Sequence, residues 1–256
     1  MSGTFTMHQH MPIRRHSRSS QGAQRGVALF VVLVFVMLSM LLALWASRTS
    51  LFNELVVGND ADYQRAMEAA QALLQDAELD IRGERADGTV CTGSAPVCRL
   101  GSVAKIPVEA KDVAELLATL EGINTGPRCK DGLCLKRTGY QDFWNDNDAN
   151  TGLAAMQAVG TRYGTYTGAK VGNDDSPANP ILRNTATGQG GWYWIEVLPY
   201  LPDVANANLI AGIGANYLAV NVQPYVIYRI TAMARGLKRN TLVVLQETYV
   251  RHRLKD

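Results

Sequence analysis

Acidic residues are missing from the start of this 256-residue chain: none precedes Glu54. Histidine is nearly as scarce. His8, His10 and His16 lie in that acid-free stretch, and the fourth, His252, stands near the last residue. There is no Gly-x-Ser-x-Gly, no His-Glu-x-x-His and no phosphate-binding glycine loop. Without a nucleophile elbow, a zinc-ligating histidine pair or a nucleotide cradle, the common hydrolase, metallopeptidase and nucleotide-dependent activities have no residues to carry them. The reading is a protein that is not an enzyme and takes no cofactor. Aromatic residues are only 7% of the chain and no basic patch is interleaved with them, so no nucleic-acid partner is expected. No internal repeat and no low-complexity tail is present.

What the chain does have is one long apolar run, Val27 to Ala46, uncharged and with Ser39 as its only hydroxyl. As a helix it spans roughly 30 Å, the thickness of a bilayer's hydrocarbon core. Residues 1–26 precede it with Arg14, Arg15, Arg18 and Arg25, no acid, and Gly26 as the last residue. A secretory signal would place a small-residue cleavage box after the apolar run. Here the break falls before it, which predicts a leader removed between Gly26 and Val27 on the cytoplasmic side, the helix being kept. A basic flank stays in the cytoplasm, so the residues after Trp45 face the other side. Four of the 25 basic residues lie in the leader, leaving 21 against 23 acids, so the formal surplus of +2 belongs to the leader.

From Leu51 onward apolar residues recur at helical steps: Leu55, Tyr63, Ala66, Met67, Ala70, Leu73, Leu74, Ala77 and Ile81. Asp62, Arg65, Glu68, Gln75 and Asp76 are expected on the opposite face. Gly58-Asn59-Asp60 is a predicted weak point of this helix, and Arg82-Gly83 a predicted stop. The chain thus divides into a leader (1–26), a membrane-spanning helix (27–46), an amphipathic continuation (47–82) and a globular domain beyond the membrane (83–256). In that domain Ala110 to Leu120 reads as a short helix and residues 152–159 as a helical turn or two. Thr161 to Gly191 reads as a long loop. Trp192–Pro199, Tyr225–Ala234 and Thr241–Val250 read as strands, the last two joined by a hairpin connection at Arg235–Asn240. Consecutive strands after helices, with no crossover helix between them, predict an antiparallel sheet and an α+β fold.

All four cysteines, Cys91, Cys98, Cys129 and Cys134, lie in this exported domain. Close pairs in an oxidising compartment read as disulfides. Of three possible pairings the sequential one is preferred, because each bridge then closes a turn-rich loop containing glycine. Zinc held by four thiolates is the competing reading. Asp146, Asp148 and Asn150 alternate like the first ligands of a calcium loop. Gly152 arrives one residue late, however, and Gln157 stands where a bidentate Glu belongs. Turn formation is the preferred account there, as for Asn173-Asp174-Asp175. In a strand Trp192, Tyr193 and Trp194 alternate faces, so at least one is core and another is a candidate partner contact.

A basic leader ending in glycine, an apolar helix that becomes amphipathic, then a disulfide-bearing antiparallel sheet resembles the type IV pilin architecture. Three stretches resemble PilX-type minor pilins in particular: Gln24-Arg25-Gly26-Val27-Ala28-Leu29; Ala69-Ala70-Gln71-Ala72-Leu73-Leu74-Gln75-Asp76-Ala77-Glu78; and Tyr228-Arg229-Ile230-Thr231-Ala232 with Val243-Val244-Leu245-Gln246. The resemblance covers residues 24–82 and 190–250 and none of the chain between. It implies cleavage by a prepilin peptidase, methylation of the new amine of Val27, and residence in the bacterial inner membrane before transfer to the pilus. It further implies other minor pilins and the major pilin as partners, with a large tip adhesin as a further candidate. Major pilins carry a glutamate at the fifth mature position; here it is Val31. That absence is shared with PilX-type minor pilins and K-type minor pseudopilins of type II secretion, and it implies a place at the filament tip. The K-type alternative is disfavoured by the lack of a large helical insertion. A membrane-tethered binding or enzymatic domain is the alternative of a different class.

Overall fold

The computed structural model describes residues 24–92, 97–124, 126–138, 140–173, 178–199 and 226–251. Residues 1–23 of the leader, Asp174, Asp175, Tyr225 and His252 lie outside the described residues. The chain divides between Val56 and Val57 into two compact units.

Helix α1 spans Gln24–Arg82. In the first unit it presents apolar side chains on all sides, and every residue from 27 to 57 is exposed. Two of its hydroxyls are closed inside the helix: Ser39 donates to the Val36 carbonyl at 2.9 Å and Thr49 to the Trp45 carbonyl at 3.0 Å. A helix whose backbone groups are paired along its own length, and whose most apolar stretch is uncharged with Ser39 as its only hydroxyl, fits a membrane anchor.

In the second unit α1 stays helical through Gly58-Asn59-Asp60, where the sequence predicts a weak point. The Lys238 ammonium donates to Asn59 Oδ1 at 2.8 Å, and a Cβ at Gly58 would lie 2.9 Å from it. The glycine therefore makes room for a contact that braces the turn. α1 stops at Arg82 as expected: Gly83 takes φ +70°, and Glu84 N–H closes back onto the Leu79 carbonyl at 2.9 Å.

Five strands form one sheet in the order β1 (Cys129–Lys130), β2 (Leu133–Leu135), β3 (Gly190–Pro199), β4 (Val226–Arg235) and β5 (Leu242–Tyr249). The fold is α+β and pilin-like. All strand pairs are antiparallel except β2–β3, which is parallel. Strand alternation sends Tyr193, Ile195, Val197, Tyr228, Ile230, Ala232 and Val243 to one face. There α1 and α2 (Ala110–Glu121) cover them with Ala66, Ala69, Ala70, Leu73, Ala77, Ile81, Leu116 and Leu120. Trp192, Trp194 and Met233 point to the other face, beneath a 3₁₀ turn at Phe143–Asn145 and helix α3 (Leu153–Val159). Trp192, Tyr193 and Trp194 are all buried; both faces of the strand carry core, so none of the three is the exposed aromatic that a half-buried strand would show. Within the expected loop Thr161–Gly191 one short helix forms, α4 (Pro180–Arg183), where Asn179 caps the Ile181 N–H.

The polar side of α1 differs from the expectation. Asp62 and Asp76 are buried, together with Asp80, whereas Tyr63 is half exposed. Alanines on this face let the domain approach closely enough to supply partners. Asp62 accepts from the Leu237 and Lys238 N–H groups at 2.9 and 3.1 Å. Asp76 accepts from Gly164 N–H at 2.7 Å and from the Thr167 hydroxyl. Asp80 is held by both arms of the Arg99 fork at 2.7 Å and by the Tyr193 hydroxyl at 2.9 Å. Arg99 also donates to the Ala104 and Asp131 carbonyls, so one buried cation ties α1 to two loops.

Burial pushes the Asp76 carboxyl up to about 6, against the pull of the Thr167 and Gly164 hydrogen bonds. A raised folded-state value means that the native protein binds this proton more tightly than the unfolded chain. The associated stability is complete below about pH 4 and is lost as pH rises through 6. Asp76→Asn should therefore match the wild type near pH 4 and exceed it at pH 7 by on the order of 2–3 kcal/mol, read from denaturant melts at both pH values. Asp76→Ala should be less stable than both at either pH, since it strands two buried donors.

Candidate functional site

Gly26 and Val27 lie within the first turns of α1, and Val31 follows Val27 by about one turn. Val27 and Val31 are exposed, and the surface from Val27 to Val57 carries only Arg48 and Glu54 as charges. This stretch offers a partner or a bilayer nothing but shape and apolar area until Arg48.

The cysteines pair as Cys91–Cys98 and Cys129–Cys134, the sequential arrangement. With all four sulfurs bridged, no thiolate set is left for zinc. Cys98 immediately precedes Arg99, so the first bridge anchors the segment that delivers the buried guanidinium to Asp80. The second bridge joins directly opposed residues of β1 and β2. That hairpin escaped the sequence reading, although its signal was present. Asp131-Gly132 takes φ +52° and +79°, the pair of left-handed residues of a type I′ turn, for which Asp-Gly is a strong cue.

The acidic loop uses its oxygens internally. Asp146 Oδ1 accepts from Asp148 N–H at 2.9 Å; Asp148 Oδ1 accepts from the Asn150 and Thr151 N–H groups at 2.8 and 3.0 Å. These bonds hold the Asp148 carboxyl below the ordinary carboxylate range. Arg137 pairs with Asp146 at 3.3 Å. Asp146, Asp148 and Asn150 thus share one loop, folded as a succession of Asx turns with an arginine as counter-ion.

A second polar cluster, unforeseen in the sequence, lies on the sheet face away from α1. Arg229 of β4 engages both oxygens of its cross-strand partner Glu196 on β3 and also donates to Gln141. The Arg137 N–H adds a bond to Glu196 at 2.8 Å. The pairing is predictable only once the β3–β4 register is known.

Comparison with known families decides what this architecture is. A PilX N-terminal family model matches residues 25–75, and a model of the C-terminal part of the type IV pilus assembly protein PilX matches residues 130–251. The chain belongs to the PilX family of type IV pilus minor pilins. No curated protein and no solved structure matches it significantly. The N-terminal match covers the exposed apolar half of α1 and most of its buried half. The C-terminal match begins on the last residue of β1 and runs through the whole sheet. The PilX families are families of structural pilus subunits, which fits an apolar helix surface and a two-faced sheet.

Two measurements check this geometry. Replacing either cysteine pair by serine should lower stability by about 2 kcal/mol, because each bridge closes a short loop, and non-reducing peptide mapping should return only the sequential bridges. Calcium or a chelator should leave the melting temperature unchanged, while Asp148→Ala lowers it in both conditions.

Proposed function

We propose that this minor pilin acts at the tip of a type IV pilus, in the complex that primes assembly, and has no enzymatic role. Its leader, residues 1–26, is cut between Gly26 and Val27 by a prepilin peptidase, and the new amine of Val27 is methylated. Residues 27–46 hold it in the inner membrane with its N-terminus cytoplasmic. The stalk 47–82 and the domain 83–256 lie on the outer side until the subunit joins other minor pilins and the major pilin. A large tip adhesin is a further partner, and the filament's task is one of adhesion, twitching motility or DNA uptake.

The observation that carries the tip assignment is Val31. A carboxylate in an apolar helix bundle is destabilising unless a neighbour's charge meets it. A subunit with valine there makes no such demand on the subunit above it. The acid-free stretch before Glu54 and the exposed apolar surface of α1 support the same reading.

Two experiments test it. Mass spectrometry of protein from cells with active prepilin peptidase should show a chain starting at methylated Val27, and an intact Met1 would defeat the processing scheme. Deletion of the gene should cut pilus number strongly, and immunogold label on sheared pili should sit at filament ends. Val31→Glu should not improve assembly. Uniform label along the shaft, with a gain from Val31→Glu, would place the subunit in the body of the filament instead.

A further inference from the structure

Helix α3 and the 3₁₀ turn cover only part of the sheet face that carries Trp192 and Trp194. Beside them lies a cleft of about 490 Å³ that reaches from the β1–β2 hairpin across to Gln246 on β5. Its apolar walls are the Cys129–Cys134 bridge, Phe143, Met156 and Trp194, all buried parts of the second core cluster. Those walls are fixed in place. The Trp194 indole N–H donates to the Met156 carbonyl at 2.8 Å, and Phe143 packs edge-on against Trp194 with ring centroids 4.8 Å apart. A preformed cavity of this size, with an apolar floor and polar and charged groups around it, has the form of a binding site.

The charges around it are not balanced. Glu196 is fully engaged by Arg229 and the Arg137 N–H, and Asp146 by Arg137 and its own loop. Arg128 and Lys136 also line the cleft, from either side of the β1–β2 hairpin. Both are exposed, and neither side chain makes a hydrogen bond or ion pair among the described residues. A cavity with an apolar floor, its acids neutralised and two cations unmatched at its mouth, complements a group that is apolar at one end and anionic at the other.

We propose that this cleft docks a segment of a partner protein in which a large apolar side chain adjoins an aspartate or glutamate. The apolar side chain enters against Trp194, Phe143 and the disulfide, and the carboxylate meets Arg128 and Lys136. The site lies wholly in the globular unit, so it does not depend on Val31, on leader processing or on where the subunit stands in the filament.

The test uses the full chain in lipid nanodiscs. A phage-displayed random peptide library is panned on the wild type and counter-selected on Gln246→Trp, an exposed position on β5 where an indole would fill the cleft. Enriched peptides should pair Asp or Glu with a neighbouring Leu, Ile, Phe or Trp. Synthetic versions should bind roughly tenfold more weakly to the Arg128→Gln/Lys136→Gln double variant, about 1.4 kcal/mol. Binding should also weaken as salt rises from 0.05 to about 0.5 M. Unchanged melting temperatures in both variants would exclude misfolding as the cause. No enrichment over the Gln246→Trp counter-selection would overturn the proposal, as would enrichment of neutral or basic peptides. So would dodecanoate displacing the peptides at equal concentration, because the cleft would then be a site for free anionic amphiphiles.

Discussion

A carboxylate removed from water without a partner costs several kcal/mol, and the second half of α1 removes three. Asp62, Asp76 and Asp80 share the helix face that carries Ala69 and Leu73; steps of seven, four, three and four residues keep the row on one side of a 3.6-residue repeat. The domain meets this demand with three different chemistries: turn amides for Asp62, a hydroxyl and an amide for Asp76, and a guanidinium fork with a phenol for Asp80. Breaking a buried ion pair by deleting one partner costs about 3–5 kcal/mol, so Arg99–Asp80 is the contact the domain can least lose. Each carboxylate accepts only donors placed at one geometry, whereas apolar packing tolerates sliding. Together the three acids fix the register of the helix on the sheet.

The rest of the globular unit follows from that register. Tyr193 reaches Asp80 only because β3 runs directly beneath α1, and Gly191 makes the approach possible, since a Cβ there would come within 2.6 Å of the Leu73 side chain. Arg99 reaches Asp80 because the Cys91–Cys98 bridge ends one residue before it. The Asp131 carbonyl accepts from the same guanidinium, so the β1–β2 turn is held by the cation that holds the helix. A hairpin whose first strand has two residues has little stability of its own. Its disulfide and this shared arginine supply what its ladder does not.

Much of this was legible in the sequence, and the misses have definite causes. The ends of α1, the short helix near Ala110, the three long strands and both disulfides follow from periodicity, β-branched composition and cysteine spacing. The polar face of the stalk was misread because a pattern built on apolar residues assigns every aspartate to solvent. The buried arc is rotated toward Asp62, Asp76 and Asp80, and only their partners, up to 176 residues away in sequence, reveal it. The exposed aromatic was misread because alternation implies one wet face. The near-continuous run Trp192–Val197, buried at every position, instead marks a strand covered on both sides. Arg229–Glu196 was out of reach for the same kind of reason: a cross-strand pair exists only once register is set.

The two halves of α1 obey one electrostatic rule under different surroundings. In the globular unit acids are admitted to the buried face because turns, hydroxyls and an arginine from distant segments are there to receive them. Residues 27–57 have no such segments, and all of them are exposed. A bilayer or a bundle of like helices supplies few donors, so each charge there needs its own partner. Up to Arg48 this chain places none, and the Ser39 hydroxyl in the middle of the run is closed within the helix. Valine at position 31 is then the residue expected of a helix that asks no neighbour for a charge. A glutamate there would be tolerated only where an adjacent subunit offers a cation at the right height.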